Sequence, residues 1–120
     1  MAKENPRARR MGEQIQRELT EVLRRDVKDE RIGNVTITAV DVTGDLRTAR
    51  VYYVIFGKDG PDPKVQRGLD SAAGYLRNAL SRALMIRHTP TLSFELDGSI
   101  AHGVRLTRLI DEANKPKVED

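Results

Sequence analysis

The chain has 120 residues, with 21 Lys and Arg against 18 Asp and Glu, a formal net charge of +3, five aromatic residues and no cysteine or tryptophan. That length predicts one domain with a modest core of Leu, Ile, Val and Ala. The absence of cysteine excludes disulfides, cysteine-ligated zinc and thiol catalysis. With no apolar run near the roughly 20 residues of a membrane span and no signal-peptide core at the N-terminus, a cytoplasmic protein without a membrane partner is expected.

Charge is spread unevenly. Residues 64–88 carry Lys64, Arg67, Arg77, Arg82 and Arg87 against Asp70 alone, and residues 1–28 are also net basic, whereas the last ten residues are net acidic. Two basic helical regions on a small domain point to a polyanionic partner.

In chain order, residues 1–6 are polar. From Pro6 to Val27 the apolar residues Met11, Ile15, Leu19, Val22 and Leu23 hold one helical face. Arg7, Arg10, Arg17 and Arg24 recur on another face and predict a basic stripe along the exposed side. "NVTITAVDV" (34–42) alternates and then shifts phase, as a strand with a bulge does. Gly44-Asp45 suits a hairpin turn into the strand "ARVYYVIF" (49–56). After the loop 57–63, Asp62 is the expected N-cap and Pro63 the first residue of the next helix.

The segment 64–87 buries Val65, Leu69, Ala72, Leu76, Leu80 and Leu84 and runs straight through Gly74. Glycine inside a helix costs about 1 kcal/mol relative to alanine. Gly74 is therefore expected to mark a joint between two helices, a point of close packing, or a tolerated imperfection. At a joint, the N-terminus of the following helix would offer free N–H groups to a phosphate near Arg77. "TLSFELD" (91–97) predicts a strand with Leu92, Phe94 and Leu96 inward and Ser93, Glu95 and Asp97 outward. Val104, Leu106, Leu109, Ile110 and Ala113 allow a short closing helix. The element order α-β-β-α-α-β, with helices on one face of a three-stranded sheet, is a small α+β sandwich.

Little in the sequence looks catalytic. No Walker or Rossmann glycine loop is present. His88 and His102 lack a companion at metal-ligand spacing, so no metal or cofactor is expected, and Ser71, Ser81, Ser93 and Ser99 occupy no nucleophile elbow. Glu95 and Asp97 share a strand face that could hold a divalent metal in a nuclease, but two solvated residues on an open sheet are the simpler expectation.

Three stretches together carry a resemblance: "RARRMGEQIQRELTEVLRRDVKDERIGNVTIT", "DVTGDLRTARVYYVIFG" and "LDSAAGYLRNALSRALMIRHTPTLSFELD". The chain resembles the bacterial ribosome-binding factor A family over roughly residues 5–110. The third stretch is the most specific: Ala72, Gly74, Leu76, Arg77, Arg87, Pro90, Leu92, Phe94 and Asp97 fall at the family's positions. The resemblance implies a type II KH-like fold, α-β-β-α-kink-α-β, with an Ala-x-Gly interhelical kink (Ala72, Ala73, Gly74) in place of the Gly-x-x-Gly loop. It implies a non-enzymatic, monomeric factor that binds free 30S subunits and 16S rRNA late in assembly. Such a factor promotes maturation of the 5′ end of 16S rRNA, supports growth in the cold and leaves with help from an assembly GTPase. The expected RNA-contacting residues are Arg7, Arg10, Arg17, Arg24, Lys64, Arg67, Gly74, Arg77, Arg82 and Arg87. A single domain over 1–113 and a short flexible tail over 114–120 are expected. A ribonuclease using Glu95 and Asp97, and a protein-only adaptor docking through the first helix, are the alternatives.

Overall fold

Asn5 starts the first helix: its side-chain oxygen accepts from the backbone N–H groups of Arg7 and Ala8 at 3.1 and 3.2 Å, and Pro6 occupies the first turn. The computed structural model describes residues 5–98. It comprises α1 (Pro6–Arg25), a single 3₁₀ turn (Glu30–Ile32), β1 (Val35–Val42), β2 (Thr48–Ile55), α2 (Pro63–Leu84) and β3 (Thr91–Leu96). The closing helix expected over 104–113, together with Ser99, His102 and the tail 114–120, lies outside the described residues.

The strands form one sheet in the order β1-β2-β3, with β1 and β2 antiparallel and β2 and β3 parallel. A parallel neighbour requires a crossover, and α2 is that crossover. The predicted phase shift in β1 is a register shift between Ile37 and Ala39. Thr38, the residue at the bulge, sends its hydroxyl to the Tyr52 carbonyl and, at 2.8 Å, to Asp97 Oδ2. Along β2, Ala49, Val51, Tyr53 and Ile55 are buried beneath the helices, and Arg50 lies exposed on the other face. Ile15, Leu19, Leu69, Leu76 and Leu80 close the core from the two helices, each burial contributing about 2 kcal/mol.

One polar chain crosses this core. The hydroxyl of buried Tyr53 donates to Gln66 Oε1 at 2.6 Å, and Gln66 Nε2 donates to the Phe94 carbonyl at 3.0 Å. It ties α2 to both β2 and β3, and burial pushes the Tyr53 phenol pKa up. Asp62 caps α2 through the Lys64 backbone N–H, a bond that holds its carboxyl below the usual aspartate range.

The expectation of two helices joined at Ala72-Ala73-Gly74 is corrected: α2 is one helix of 22 residues that passes through Gly74. Leu69 and Leu76 are fully buried on either side of the glycine, and their anchoring outweighs a local cost of about 1 kcal/mol. No helix N-terminus therefore emerges at Gly74, and the phosphate seat expected there from free N–H groups is absent. Nor is Gly74 a packing glycine, because a Cβ built on it meets nothing within 4 Å.

The packing glycines are Gly12 and Gly68. A Cβ at Gly12 would lie 2.7 Å from the Val40 carbonyl oxygen, where α1 crosses β1, and one at Gly68 would lie 2.8 Å from Ile32 Cγ2. Gly12 in α1 and Gly74 in α2 should therefore respond in opposite directions. Gly12→Ala is expected to lose about 1–3 kcal/mol, because the obstructing atom is backbone. Gly74→Ala should gain about 0.5–1 kcal/mol. Urea unfolding of the two variants beside the parent chain measures both signs.

Candidate functional site

The parallel pairing of β2 and β3 gathers four chain segments at one end of the molecule. Strand β2 begins at Thr48 opposite Thr91 of β3, and the Thr91 N–H donates to the Arg47 carbonyl at 2.9 Å. The C-terminal end of α2 arrives at the same end, because β3 follows it directly. The start of α1 is fastened there by Asn5 Nδ2, which donates to the Gly44 carbonyl at 3.2 Å. Between these segments lies a cleft of about 630 Å³ lined by Arg7, Met11, Asp45, Leu46, Arg47, Arg77, Ile86, Arg87, His88, Thr89 and Thr91.

Four guanidinium groups line this cleft with one carboxylate. That carboxylate is engaged: Asp45 Oδ1 accepts from the Thr43 hydroxyl at 2.7 Å and from the Arg47 N–H at 3.0 Å. These bonds, the Thr43 hydroxyl first, hold its carboxyl below the usual aspartate range. Arg77 is engaged as well, its Nε and Nη2 donating to the Thr89 carbonyl at 3.1 and 2.8 Å. Both cleft loops hold a non-glycine residue in the left-handed region, Leu46 at φ 64° and Met85 at φ 53°. Each such residue costs on the order of 1 kcal/mol.

A second basic surface lies along α2. Lys64, Arg67, Ser71, Gly74, Asn78 and Arg82 are all exposed and, at helical spacing, fall within one stripe opposite Leu69, Leu76 and Leu80. The stripe contains no carboxylate, and Gly74 leaves a shallow notch at its middle. On α1 the predicted stripe is diluted. Arg7, Arg10, Arg17 and Arg24 are exposed, but Arg24 pairs with Glu21 at 2.6 Å, and Arg17 shares a shallow groove with Glu13 and Glu21.

The structure thus brings Arg7, Arg77 and Arg87 together, places Lys64, Arg67, Gly74 and Arg82 on a separate face, and leaves Arg10, Arg17 and Arg24 on a surface of mixed charge. Arg47 and His88 join the cleft without having stood out in the sequence. Only the strand pairing, which seats residue 47 beside residue 91, would have revealed them.

Glu95 and Asp97 do not form an outward pair, which corrects the expected strand pattern. Glu95 is exposed, but Asp97 follows β3, is 3 % exposed and accepts the Thr38 hydroxyl. On the open sheet face Asp41 sits opposite Arg50, and Arg50 is raised above the usual guanidinium range first by its bond to Tyr52 and further by nearby Glu95 and Asp41. With one guanidinium beside two carboxylates, that face has no cationic surplus. Among the described residues, no three His, Cys, Asp or Glu side chains cluster to hold a metal, and no helix is long and apolar enough to cross a membrane.

Fold and surface together define a small α+β protein that, among the described residues, gathers cationic side chains along α2 and in the cleft at its C-terminal end. Comparison with known proteins makes the assignment specific. Residues 7–110 match the ribosome-binding factor A family, and the chain belongs to it. It is 50 % identical over 115 residues to ribosome-binding factor A of Pseudomonas entomophila, covering 94 % of this chain and 87 % of that one. The crystal structure of ribosome-binding factor A from Thermus thermophilus superposes with a TM-score of 0.65 at 27 % identity, covering 74 % of this chain and 94 % of that one. A Thermus thermophilus homology model fitted into a cryo-EM map of a 30S–RbfA complex gives a TM-score of 0.59 at 28 % identity, covering 70 % and 88 %.

The different duties of the α2 arginines are separable by stability. Arg77→Ala removes two charge-assisted bonds and leaves the carbonyl of buried Thr89 without that partner, so a loss of about 1.5–3 kcal/mol is expected. Arg82→Ala, at an exposed site, should change stability by less than about 0.5 kcal/mol. Thermal or urea unfolding of both variants distinguishes them.

Proposed function

We propose that this protein is a non-catalytic assembly factor that binds free 30S ribosomal subunits through 16S rRNA late in their maturation. The observation that carries this reading is the carboxylate-free stripe of α2, in a chain whose relative has been fitted into a 30S complex. A phosphate backbone is the ligand for which such a stripe has the right chemistry: binding releases condensed counterions and needs little sequence information. Lys64, Arg67 and Arg82 are the cations we assign to phosphate contact along the stripe. At Gly74, where no side chain stands in the way, the RNA backbone can approach the helix closely. Arg7, Arg77 and Arg87 act from the cleft, and Arg10, Arg17 and Arg24 supply a weaker, longer-range field from α1.

The broader role is also proposed on family membership. It comprises maturation of the 5′ end of 16S rRNA, support of growth in the cold, release with an assembly GTPase, a monomeric state and a KH-like classification of the fold. Residues 1–113 would act as one binding domain in the cytoplasm, with 114–120 as a tail. The ribonuclease reading has no comparable support, because the buried, hydrogen-bonded Asp97 is not available to share a metal with Glu95.

Binding of the full chain to purified 30S subunits tests this reading. Affinity is expected to fall steeply as salt rises. The double substitution Arg67→Glu and Arg82→Glu should weaken binding at least about tenfold while leaving the urea midpoint in place. Affinity that is flat across the salt series, or indifferent to both reversals, contradicts the proposal.

A further inference from the structure

The cleft at the end of the sheet has features that a diffuse positive field does not require. Arg7, Arg47 and Arg87 line it and make no ion pair among the described residues, while Asp45 is held by the turn that carries it. Thr89 is 8 % exposed, and its hydroxyl is the buried side-chain polar atom without a hydrogen-bond partner among the described residues. Native structures pair nearly all such groups, but this hydroxyl is covered by the protein itself, so recognition in the cavity rests on its cationic side chains. The carbonyl of the same residue is taken by Arg77, which fixes Thr89 in place beside the cavity. The two loops that form the walls are also those with left-handed Leu46 and Met85. Strain of that kind concentrates where a fold shapes a site.

We propose that this cleft seats one phosphodiester of a single-stranded RNA segment. Arg47 and Arg87 grip its charged oxygens. His88, which lines the same cleft, is the residue we assign to stack on the adjoining base. The volume of about 630 Å³ is far more than a lone phosphate ion fills and leaves room for the attached nucleotide. A recess between two loops admits a single strand more readily than a duplex, which presents its phosphates on a convex surface. This assignment rests on the rRNA-binding reading and sharpens it, distinguishing a built phosphate seat from the open α2 stripe.

The test uses the full chain and a fluorescein-labelled six-nucleotide single-stranded RNA, followed by anisotropy. A matching oligonucleotide with uncharged methylphosphonate linkages and inorganic phosphate as competitor complete the set. Arg47→Ala combined with Arg87→Ala is expected to weaken the charged oligonucleotide about tenfold or more, and the uncharged one should bind poorly to every variant. Thr89→Val, which replaces a covered, unpaired hydroxyl with a methyl group, should leave the affinity unchanged while the urea midpoint stays level or rises. Arg50→Ala, on the open sheet face away from the cleft, should change nothing. Unchanged oligonucleotide affinity in the Arg47/Arg87 variant overturns the seat. So does full displacement of the strand by inorganic phosphate at low millimolar concentration, which would make the cleft a free-phosphate site. If that variant also binds 30S subunits like the parent chain, the subunit-binding reading stands without the seat. Failure of the parent chain itself to bind subunits would overturn that reading instead.

Discussion

The clamp from the Arg77 guanidinium to the Thr89 carbonyl decides where the chain goes after α2. Without it, the segment 85–90 is a short connection, led by Met85 in a left-handed conformation and 88 % exposed. With it, Ile86, Arg87 and His88 are held over the start of β3 and face Arg47 across the cleft. The rest of the cationic end follows from topology. A parallel β2–β3 pair fixes both strand starts at one end, and the crossover helix must deliver its C-terminus there.

Charge on this protein is organised by what the fold consumes. Carboxylates are used for capping and turns, as Asp62 caps α2 and Asp45 closes the β1–β2 turn, or they balance cations on α1 and the open sheet. Among the described residues, Lys64, Arg67 and Arg82 of the α2 stripe have no such partners, so a net charge of only +3 becomes a strongly one-sided surface. Such a surface attracts a phosphate backbone at long range and holds it at short range. The α2 stripe and the cleft divide that work between a sequence-tolerant rail and a shaped recess.

Much of the fold is legible in the residues. The helical face of α1, the bulge in β1, the Gly44-Asp45 turn and the Asp62-Pro63 start of α2 all follow from local chemistry, and all appear in the structure. Gly74 misleads. A glycine's local cost is visible in sequence, but the burial of Leu69 and Leu76 that overrides it is a tertiary fact. The reverse holds for Gly12, which draws no notice in the sequence yet sits where α1 approaches the Val40 carbonyl. The candidate site divides along the same line. The α2 stripe is a periodicity and can be read directly, whereas the cleft joins residues 7, 47, 77 and 87, which only strand pairing brings together. Asp97 escapes the pattern for a related reason: alternation along β3 predicts it outward, but the bulge at Thr38 supplies a hydroxyl that keeps it buried.

The central claim is that the α2 face meets ribosomal RNA and the open sheet does not. Site-specific photo-crosslinking on the 30S subunit addresses it most directly, with the probe placed at Ser71 on the α2 stripe in one preparation and at Glu95 on the open sheet in another. Crosslinks to 16S rRNA from Ser71, with little or none from Glu95, are the result this account predicts. Equal rRNA crosslinking from both positions, or crosslinks from Ser71 to ribosomal proteins alone, would contradict it.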